Sequence, residues 1–306
     1  MQNRGRRPIN ITVIGRGDFG SSIASLLEYN TVDYTFTTKL APLDKKVDIA
    51  FFAVPTQSIR EAMANNLPFF DEQTIIVNCS KGIEEGTHLL PHQIISGFNV
   101  PVRYLTLIGP SFAKDIVNHD PTIVSLGYKD LETAKIVEKL IATPYFTPYK
   151  TSGYKTLELA GAMKNVYAIL CGYAHGIGFG MNTKVQIILS VRHELEKLAR
   201  ALRYSTRTID TPGIIGDLIL TCTSSQSRNY TYGYNLAKKH DINPHETHQT
   251  TVEGYHTCHS ISTIAKKYGV AMPLAILSAR ITNGDFITAD EFRTILSQTT
   301  IDNSAR

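Results

Sequence analysis

The sequence predicts an α/β fold in which a doubly wound parallel sheet forms an N-terminal domain and helices alone form a C-terminal domain. Short apolar runs alternate with helical patterns through the first half of the chain, as in parallel strands joined by crossover helices. From about Gly153 onward helical periodicity continues and no convincing strand intervenes. The segment 147–152, which contains Pro148, is therefore the predicted boundary between domains of residues 1–149 and 150–306.

Each element follows from its own apolar pattern. Ile49–Val54 is a continuous apolar run closed by Pro55, which is typical of a strand buried on both faces. The same pattern recurs at Thr74–Val77, Leu105–Ile108 and Thr122–Leu126. Asn10–Ile14 is a further strand candidate, and Tyr34–Thr37 could be a short second strand. Apolar residues at helical spacing predict helices over Phe19–Leu27, Leu157–Ala174, Val185–Leu202, Tyr255–Tyr268 and Ala289–Leu296.

Composition excludes several classes of protein. Of the 306 residues 42% are apolar and 19% are charged, a balance that excludes disordered, collagen-like and coiled-coil chains. The formal charge of +4 suits a small phosphorylated molecule better than nucleic acid, which calls for a concentrated basic face.

Glycines interrupt the longest stretch without Asp, Glu, Lys or Arg, and no signal-peptide run follows the N-terminus, so a cytoplasmic protein without a membrane span is expected. Four widely separated cysteines are expected to be reduced, mostly buried thiols.

A glycine motif follows the first predicted strand. In GRGDFG at residues 15–20, Gly15, Gly17 and Gly20 have the spacing that serves a tight turn, close approach to a pyrophosphate, and helix packing in a Rossmann-like dinucleotide site. A purely structural glycine turn is the alternative, but the strand–turn–helix context favours binding. The second strand ends at Tyr34–Lys39 without an acid for NAD or an arginine for NADP, so the predicted cofactor is NAD or NADP.

Two later loops also follow buried strands. The loop NCSKG places Lys81 at the carboxyl edge of the sheet, where doubly wound folds bind ligands, although a surface lysine would look the same. In GPSFAK the hydroxyl of Ser111 could cap the next helix, and the same open N–H groups could hold a ligand oxygen.

Lys164 has the most informative surroundings of any single residue. Its neighbours at three, four and seven positions along the predicted helix are apolar or small, so its ammonium is placed on a buried face. Such a lysine must pair with an anion or lose its proton, and a lowered pKa suits a general base. The alternative is a lysine that snorkels to solvent past its small neighbours.

Three polar motifs lie further along the chain. Asp217, between a glycine and an apolar run, is interpreted by default as a helix N-cap and otherwise as the partner of a buried lysine. The tripeptide Ser227-Arg228-Asn229 groups a hydroxyl, a guanidinium and an amide, which suits a phosphate monoester. The late histidines match no established zinc-ligand spacing, so no metal is predicted. They are His240, His245, His248, His256 and His259, together with Cys258.

Taken together, these segments resemble the NAD(P)-dependent glycerol-3-phosphate dehydrogenases of the bacterial type. The resembling pieces occur in the family's order, and QSRN and MKNV within their longer contexts are the most specific. They are GRGDFG, NCSKGIEEGT, LIGPSFAKDI, ELAGAMKNVYAI, GIGFGMN, GDLILTCTSSQSRN, VEGYHT and KKYGVAMPL. The resemblance implies a homodimeric enzyme that interconverts sn-glycerol 3-phosphate and dihydroxyacetone phosphate by hydride transfer with NAD(P), supplying phospholipid synthesis.

The resemblance also implies roles for individual residues. Lys164 corresponds to the catalytic general acid/base, Lys81 to the lysine that holds the reacting oxygen, and Asp217 to the partner of Lys164. The implied substrate contacts are Lys81, Gly109, Ser111, Asn165, Thr221, Ser227, Arg228 and Asn229. The implied cofactor contacts are Gly15, Gly17, Asp18, Phe19, Gly20, Lys81, Ala113, Arg228 and Glu253.

The chain departs from the family pattern at two places. Between Thr38 and Val47 it has a short connector where the family normally carries a few dozen more residues, including a helix beside the adenosine half of the cofactor. The family's arginine in a Thr-Arg-Gly context appears here as Ser190, with Arg192 nearby.

Two other functions stay open at this point. One is a dehydrogenase of another small phosphorylated or hydroxy compound, and the other is a catalytically silent dinucleotide-binding regulatory protein. The QSRN motif favours a phosphorylated substrate. The retained Lys81, Lys164 and Asp217 argue against a silent protein, because a buried charge without a use is costly.

Overall fold

The computed structural model describes residues 9–238 and 252–299, and its first half is built on a seven-stranded sheet. The strands are β1 (Ile11–Ile14), β2 (Thr35–Thr37), β3 (Ile49–Phe52), β4 (Ile75–Asn78), β5 (Arg103–Ile108), β6 (Thr122–Tyr128) and β7 (Phe146–Thr151). They lie in the order β2-β1-β3-β4-β5-β6-β7, and β1–β2, β1–β3, β3–β4, β4–β5 and β6–β7 are parallel pairs. The predicted doubly wound, mostly parallel sheet is confirmed.

Helices connect the strands and then continue without strands in the described part of the second half. The first five are α1 (Asp18–Tyr29), α2 (Ile59–Asn66), α3 (Pro91–Ser96), α4 (Ala113–Val117) and α5 (Leu131–Ile141). The remainder are α6 (Tyr154–Gly176), α7 (Met181–Ala201), α8 (Asp217–Thr223), α9 (Arg228–Lys238), α10 (Glu253–Lys267), α11 (Pro273–Thr282) and α12 (Ala289–Gln298). The predicted helical character of this half is confirmed.

The chain forms two compact units that are not continuous in sequence. Of the described residues, unit 1 comprises 9–80, 91–107 and 111–154, and unit 2 comprises 81–90, 108–110, 155–238 and 252–299. Two short loops of the first half therefore belong to the helical unit. This grouping depends on contacts between residues far apart in sequence, which the local sequence pattern cannot predict.

The segment 147–152, expected to contain the domain boundary, forms most of strand β7. Its residues alternate between buried and exposed positions and pair in parallel with β6. Pro148 suggested an interruption, but β7 lies at the edge of the sheet, where a proline without an N–H group is tolerated.

Several helices are too short for their apolar periodicity to predict them. In one of these, α11, a distant side chain stabilises the start of the helix. The buried carboxylate of Glu194 accepts hydrogen bonds from the N–H groups of Leu274 and Ala275 at the start of this helix. The Tyr167 hydroxyl donates to the same carboxylate. A residue 80 positions away thus stabilises the helix start. The local sequence offers only Pro273 in the first turn as a sign that a helix begins here.

The core of unit 2 surrounds α6. This helix is buried along nearly all of its length, which agrees with its apolar and small residues on every side.

Cys79, Cys171, Cys222 and Cys258 are free, buried thiols, as predicted. None of the helices in the described ranges combines the length and apolar character that crossing a bilayer requires.

Candidate active site

The centre of the site is a pair of lysines in unit 2 that share one buried carboxylate. Lys164 Nζ donates to Asp217 Oδ1 at 2.8 Å, and Lys81 Nζ donates to Asp217 Oδ2 at 2.8 Å. Lys164 also donates to the Thr221 hydroxyl at 2.9 Å. Lys81 also donates to the Gly109 carbonyl at 3.0 Å. The side chains of Lys164, Lys81 and Asp217 are only 11%, 15% and 3% exposed, so water screens these charges weakly.

Burial and charge set the protonation of this cluster. Burial lowers the pKa of Lys164 to about 8, opposed by the Asp217 carboxylate and aided by the charge of Lys81. Burial alone would raise the pKa of Asp217, but attraction from the two lysines outweighs it and lowers that pKa. Asp217 is therefore a carboxylate at neutral pH, while Lys164 can take up and release a proton near physiological pH.

The prediction that Lys164 lies on a buried helix face is confirmed. Its helical neighbours Leu157, Ala160, Tyr167 and Cys171 are all buried in the core of unit 2. The ammonium pairs with an anion inside the protein, so the snorkelling interpretation is wrong.

Asp217 reaches the lysines because of the backbone that precedes it. A π-helical turn at Pro212–Gly216 leads directly into α8, of which Asp217 is the first residue. One turn later the Thr221 hydroxyl donates to the Asp217 carbonyl at 2.6 Å, so both polar side chains share one face of α8. The default interpretation of Asp217 as an N-cap is wrong: Gly216 occupies that position, without a side-chain hydrogen bond.

A chain of amide hydrogen bonds supports the lysine loop. Asn165 Nδ2 donates to the Lys81 carbonyl at 3.0 Å, and Asn229 Nδ2 donates to Asn165 Oδ1 at 3.0 Å. The Gly254 N–H then donates to Asn229 Oδ1 at 3.0 Å. This chain joins α6, α9 and α10 to the loop that carries Lys81, so it fixes the loop relative to Lys164.

Two glycines bring α6 and α9 into backbone contact. A Cβ added at Gly172 would lie 1.9 Å from the Tyr230 carbonyl oxygen, and one at Gly233 would lie 2.0 Å from the Ile169 carbonyl oxygen. Only glycine permits such an approach. The contact places the start of α9, and with it Asn229, against Asn165.

We expect the Gly172→Ala variant to lose about 1–3 kcal/mol of unfolding free energy, because the added methyl group must push α9 away from α6. The turnover number should fall as well, since the Asn165–Asn229 hydrogen bond depends on the same approach. Urea unfolding and steady-state kinetics measure the two effects. Gly180→Ala is the control for added bulk, because nothing lies within 4 Å of its added Cβ, and its only expected cost is that of alanine at the N-cap of α7. Equal effects in both variants would contradict the argument.

The other predicted residues of unit 2 have varied surroundings. The Ser227 hydroxyl is buried and accepts from the Tyr230 N–H at 3.3 Å, as a helix cap does. Arg228 is the exposed first residue of α9, and among the described residues its side chain has no partner. Glu253 is the first residue of α10, and its charge acts on Lys164.

In unit 1 the glycine turn fits a dinucleotide pyrophosphate. Gly15 has a φ of +114°, and an added Cβ there would lie 2.3 Å from the Ala53 carbonyl oxygen. A Cβ at Gly20 would lie 2.0 Å from the Gly15 carbonyl oxygen, whereas a Cβ at Gly17 would meet nothing within 4 Å. The first and third glycines are thus required by packing, and the second leaves space at the uncapped start of α1 for phosphate oxygens.

The remaining predicted residues of unit 1 lie at two helix starts. Asp18 and Phe19 open α1, and Ala113 opens α4, which packs against α1. Ser111 does not cap α4, because Phe112 holds that position without a side-chain hydrogen bond.

The two departures from the family pattern have clear local structures. The connector 38–47 packs onto α2: the Leu43 N–H donates to Asn66 Oδ1 at 2.9 Å, and Asn65 Nδ2 donates to the Lys39 carbonyl at 2.9 Å. Arg192 is held by both oxygens of Asp210 at 2.8 Å. Its guanidinium is therefore committed to this ion pair.

Within residues 9–238 and 252–299, no group of three or more His, Cys, Asp or Glu side chains could hold a metal. His256 lies 3.0 Å from Glu85 through Nδ1 and Oε2. His240, His245 and His248 lie outside the described residues.

Sequence reasoning missed Arg16 in the glycine turn. Its guanidinium lies over the Phe36 ring of β2, 5.7 Å from the centroid, and Nη2 lies 3.5 Å from the Phe36 carbonyl. An arginine at the variable position of a G-x-G turn is the available signal in the sequence, but its place beside β2 depends on the pairing of β1 with β2.

Comparisons with known proteins identify the family of this chain. The chain matches the N-terminal domain of the NAD-dependent glycerol-3-phosphate dehydrogenases over residues 33–134 and their C-terminal domain over residues 154–290. It is 34% identical over 241 residues to a glycerol-3-phosphate dehydrogenase [NAD(P)+] of Solidesulfovibrio magneticus, covering 78% of this chain and 73% of that protein. It is 32% identical over 258 residues to the Brucella ovis protein of the same name, covering 83% and 78%. The fold matches that of glycerol-3-phosphate dehydrogenase from Coxiella burnetii with a TM-score of 0.84 at 23% identity, over 95% of this chain and 98% of that one.

Proposed function

This chain belongs to the NAD-dependent glycerol-3-phosphate dehydrogenase family, and from that premise we propose that it interconverts sn-glycerol 3-phosphate and dihydroxyacetone phosphate using NAD(P). The observation that carries the proposal is the buried Lys164–Asp217–Lys81 cluster. A buried base of pKa about 8 beside a second cation suits the oxidation of an alcohol and the reduction of a ketone. In the reductive direction, the sn-glycerol 3-phosphate that is formed would supply phospholipid synthesis.

The residues divide the chemistry between proton transfer and charge stabilisation. In the oxidative direction the neutral amine of Lys164 takes the proton of the reacting hydroxyl, and in the reverse direction its ammonium returns that proton. The Lys81 ammonium faces the oxygen on which negative charge develops. Asp217 holds both nitrogens in place, and Thr221 orients the amine of Lys164. When bound beside these residues, NAD(P) would supply the hydride chemistry.

Different residues are proposed for cofactor binding and for substrate binding. The proposed cofactor contacts of unit 1 are Gly15, Gly17, Asp18, Phe19, Gly20 and Ala113. In unit 2, Arg228 and Asn229 are proposed to hold the substrate phosphate, because a guanidinium and an amide match its oxygens. Holding the phosphate aligns the reacting carbon for hydride transfer. We also propose that residues 1–149 form the dinucleotide-binding domain and 150–306 the substrate domain.

The test is an assay of the purified protein with dihydroxyacetone phosphate and either NADH or NADPH, following the loss of reduced-cofactor absorbance. Turnover supports the proposal. Turnover only with another phosphorylated ketone would identify a related dehydrogenase. Cofactor binding without turnover of any phosphorylated ketone would identify a silent binding protein.

We expect kcat/KM for glycerol 3-phosphate oxidation to rise with pH and level off above about pH 8. Only the neutral form of Lys164 accepts a proton, and its pKa is about 8, so that form accumulates as pH rises through this value. The reductive rate should decline over the same interval, because it needs the ammonium form. Initial rates across a pH series measure both limbs. Oxidation that is independent of pH across this range would show that Lys164 is not the base.

For the Arg228→Ala variant we expect KM for dihydroxyacetone phosphate to rise about 10- to 100-fold, because a charge-assisted contact to the phosphate is lost. The turnover number at saturation should change less. Arg207→Ala removes an exposed arginine of the same unit and serves as the control. An unchanged KM would remove Arg228 from the phosphate site.

Assembly and location are part of the proposal. The family resemblance supports a homodimer, which sedimentation of the purified protein would measure. A cytoplasmic location agrees with the need for soluble NAD(P) and a phosphorylated substrate, and fractionation of the source cells would test it.

A further inference from the structure

We propose that Arg16 makes this dehydrogenase prefer NADP over NAD by binding the 2′-phosphate of the adenosine ribose. This inference rests on the proposed function only in assuming that a dinucleotide occupies the glycine turn. The turn fits the pyrophosphate, as Gly17 shows, so the adenosine ribose is directed to the end of β2. The side chains present at that end then decide which cofactor binds.

The structure places Arg16 at the end of β2 although it belongs to the turn after β1. The Gly15 N–H donates to the Thr37 carbonyl at 2.9 Å, which joins the turn to the last residue of β2. From there the Arg16 guanidinium extends over the Phe36 ring, 5.7 Å from its centroid. The arginine therefore points away from the pyrophosphate position at α1 and toward the ribose position.

Phe36 holds the guanidinium ready for a phosphate. A cation over an aromatic face is attracted to it, and the Phe36 ring is itself packed edge-on against Tyr34 at 5.4 Å between centroids. The Tyr34 hydroxyl donates to Glu28 of α1, which fixes that ring in turn. An arginine held in this way loses less freedom when it binds an anion, and its planar donors match phosphate oxygens.

The charges around β2 also favour a phosphate over a ribose hydroxyl. Thr37, Thr38 and Lys39 stand where an enzyme selective for NAD carries an acid. Lys39 is paired with Glu61 at 3.0 Å, so its charge is largely balanced. Arg16 has no carboxylate partner among the described residues, and it therefore carries the uncompensated positive charge.

The experiment measures binding rather than turnover. Isothermal titration calorimetry of the whole protein with NADP⁺ and NAD⁺ should show NADP⁺ binding about 10- to 100-fold more tightly. In Arg16→Ala that difference should disappear through a loss of NADP⁺ affinity, with the Kd for NAD⁺ changed less than about twofold. Adenosine 2′,5′-bisphosphate should likewise bind more tightly than AMP, because the nicotinamide half of the cofactor takes no part in this contact.

Further variants separate the 2′-phosphate contact from a general effect of charge. Lys135→Ala removes an exposed positive charge of unit 1 that is paired with Glu132 and lies outside the glycine turn and β2, and it should leave both affinities unchanged. Phe36→Leu keeps Arg16 but removes the aromatic ring under its guanidinium, and it should partly reduce the preference for NADP⁺ over NAD⁺. Thr38→Asp should shift the preference toward NAD⁺ by supplying an acid for the ribose hydroxyl.

Two results would overturn the inference. If Arg16→Ala weakened NAD⁺ and NADP⁺ equally, the guanidinium would belong to the pyrophosphate. If it weakened neither, Arg16 would have no part in cofactor binding. A protein that shows the NADP⁺ preference but does not turn over dihydroxyacetone phosphate would refute the proposed function and leave this inference standing.

Discussion

Replacing Lys164 with alanine is expected to lower the turnover number about 10²- to 10⁴-fold, the range that a general acid/base contributes. Without Lys164, water would have to take the proton of the substrate hydroxyl, and the burial of this cluster restricts the access of water. Cofactor affinity should change less than about twofold, because Lys164 is not among the implied cofactor contacts. Single-turnover kinetics and calorimetry measure the two quantities.

Two controls separate chemistry from folding in this variant. Lys155 is an exposed lysine near the start of the same helix, and Lys155→Ala should keep near-normal turnover. Small primary amines added to Lys164→Ala should restore part of the rate by occupying the vacated space. Near-normal turnover of Lys164→Ala, without any added amine, would refute the role given to this residue.

The Asp217→Asn variant is expected to lose about 3–5 kcal/mol of unfolding free energy, together with activity. Asparagine has nearly the shape of aspartate but no charge, so two buried ammonium groups would be left without their shared anion. Urea unfolding followed by circular dichroism measures the loss. An unchanged unfolding midpoint would show that the lysines do not depend on this carboxylate.

A matched aspartate and a double variant test the cause. Asp210 pairs with Arg192 at the surface, where its side chain is 67% exposed, so Asp210→Asn should cost no more than about 1 kcal/mol. Adding Lys164→Met to Asp217→Asn should recover part of the lost stability, because one uncompensated charge is removed. Additive losses in the double variant would contradict the electrostatic explanation.

Apolar periodicity predicted the sheet and the long helices well, and failed where tertiary contacts or short length dominate. Strands such as Ile49–Phe52 are buried on both faces and appear in the sequence as unbroken apolar runs. β7 was missed because Pro148 resembles a break, and only its edge position makes that proline acceptable. α11 is short, and apart from Pro273 in its first turn the contact that stabilises its start comes from Glu194, 80 positions away.

The candidate site was predictable in its parts and not in its arrangement. The neighbours of Lys164 already indicated burial, and the glycine spacing indicated a phosphate turn. The pairing of Lys164 with Asp217 came only from the family resemblance, because the two residues are 53 positions apart in sequence. Lys81, which shares the same carboxylate, is 136 positions from Asp217. Arg16 likewise acquires its proposed role only where β2 lies beside β1.

The sequence by itself determined which segments are buried, which turn has room for a phosphate and which lysine must find a partner. Each of these depends on residues within a few positions of one another, where helix and strand geometry fix the distances. Tertiary structure alone decided that two lysines share one carboxylate and that an arginine from the first turn lies over the second strand. Electrostatic pairing depends on distance in space, and chain topology sets that distance for residues far apart in sequence.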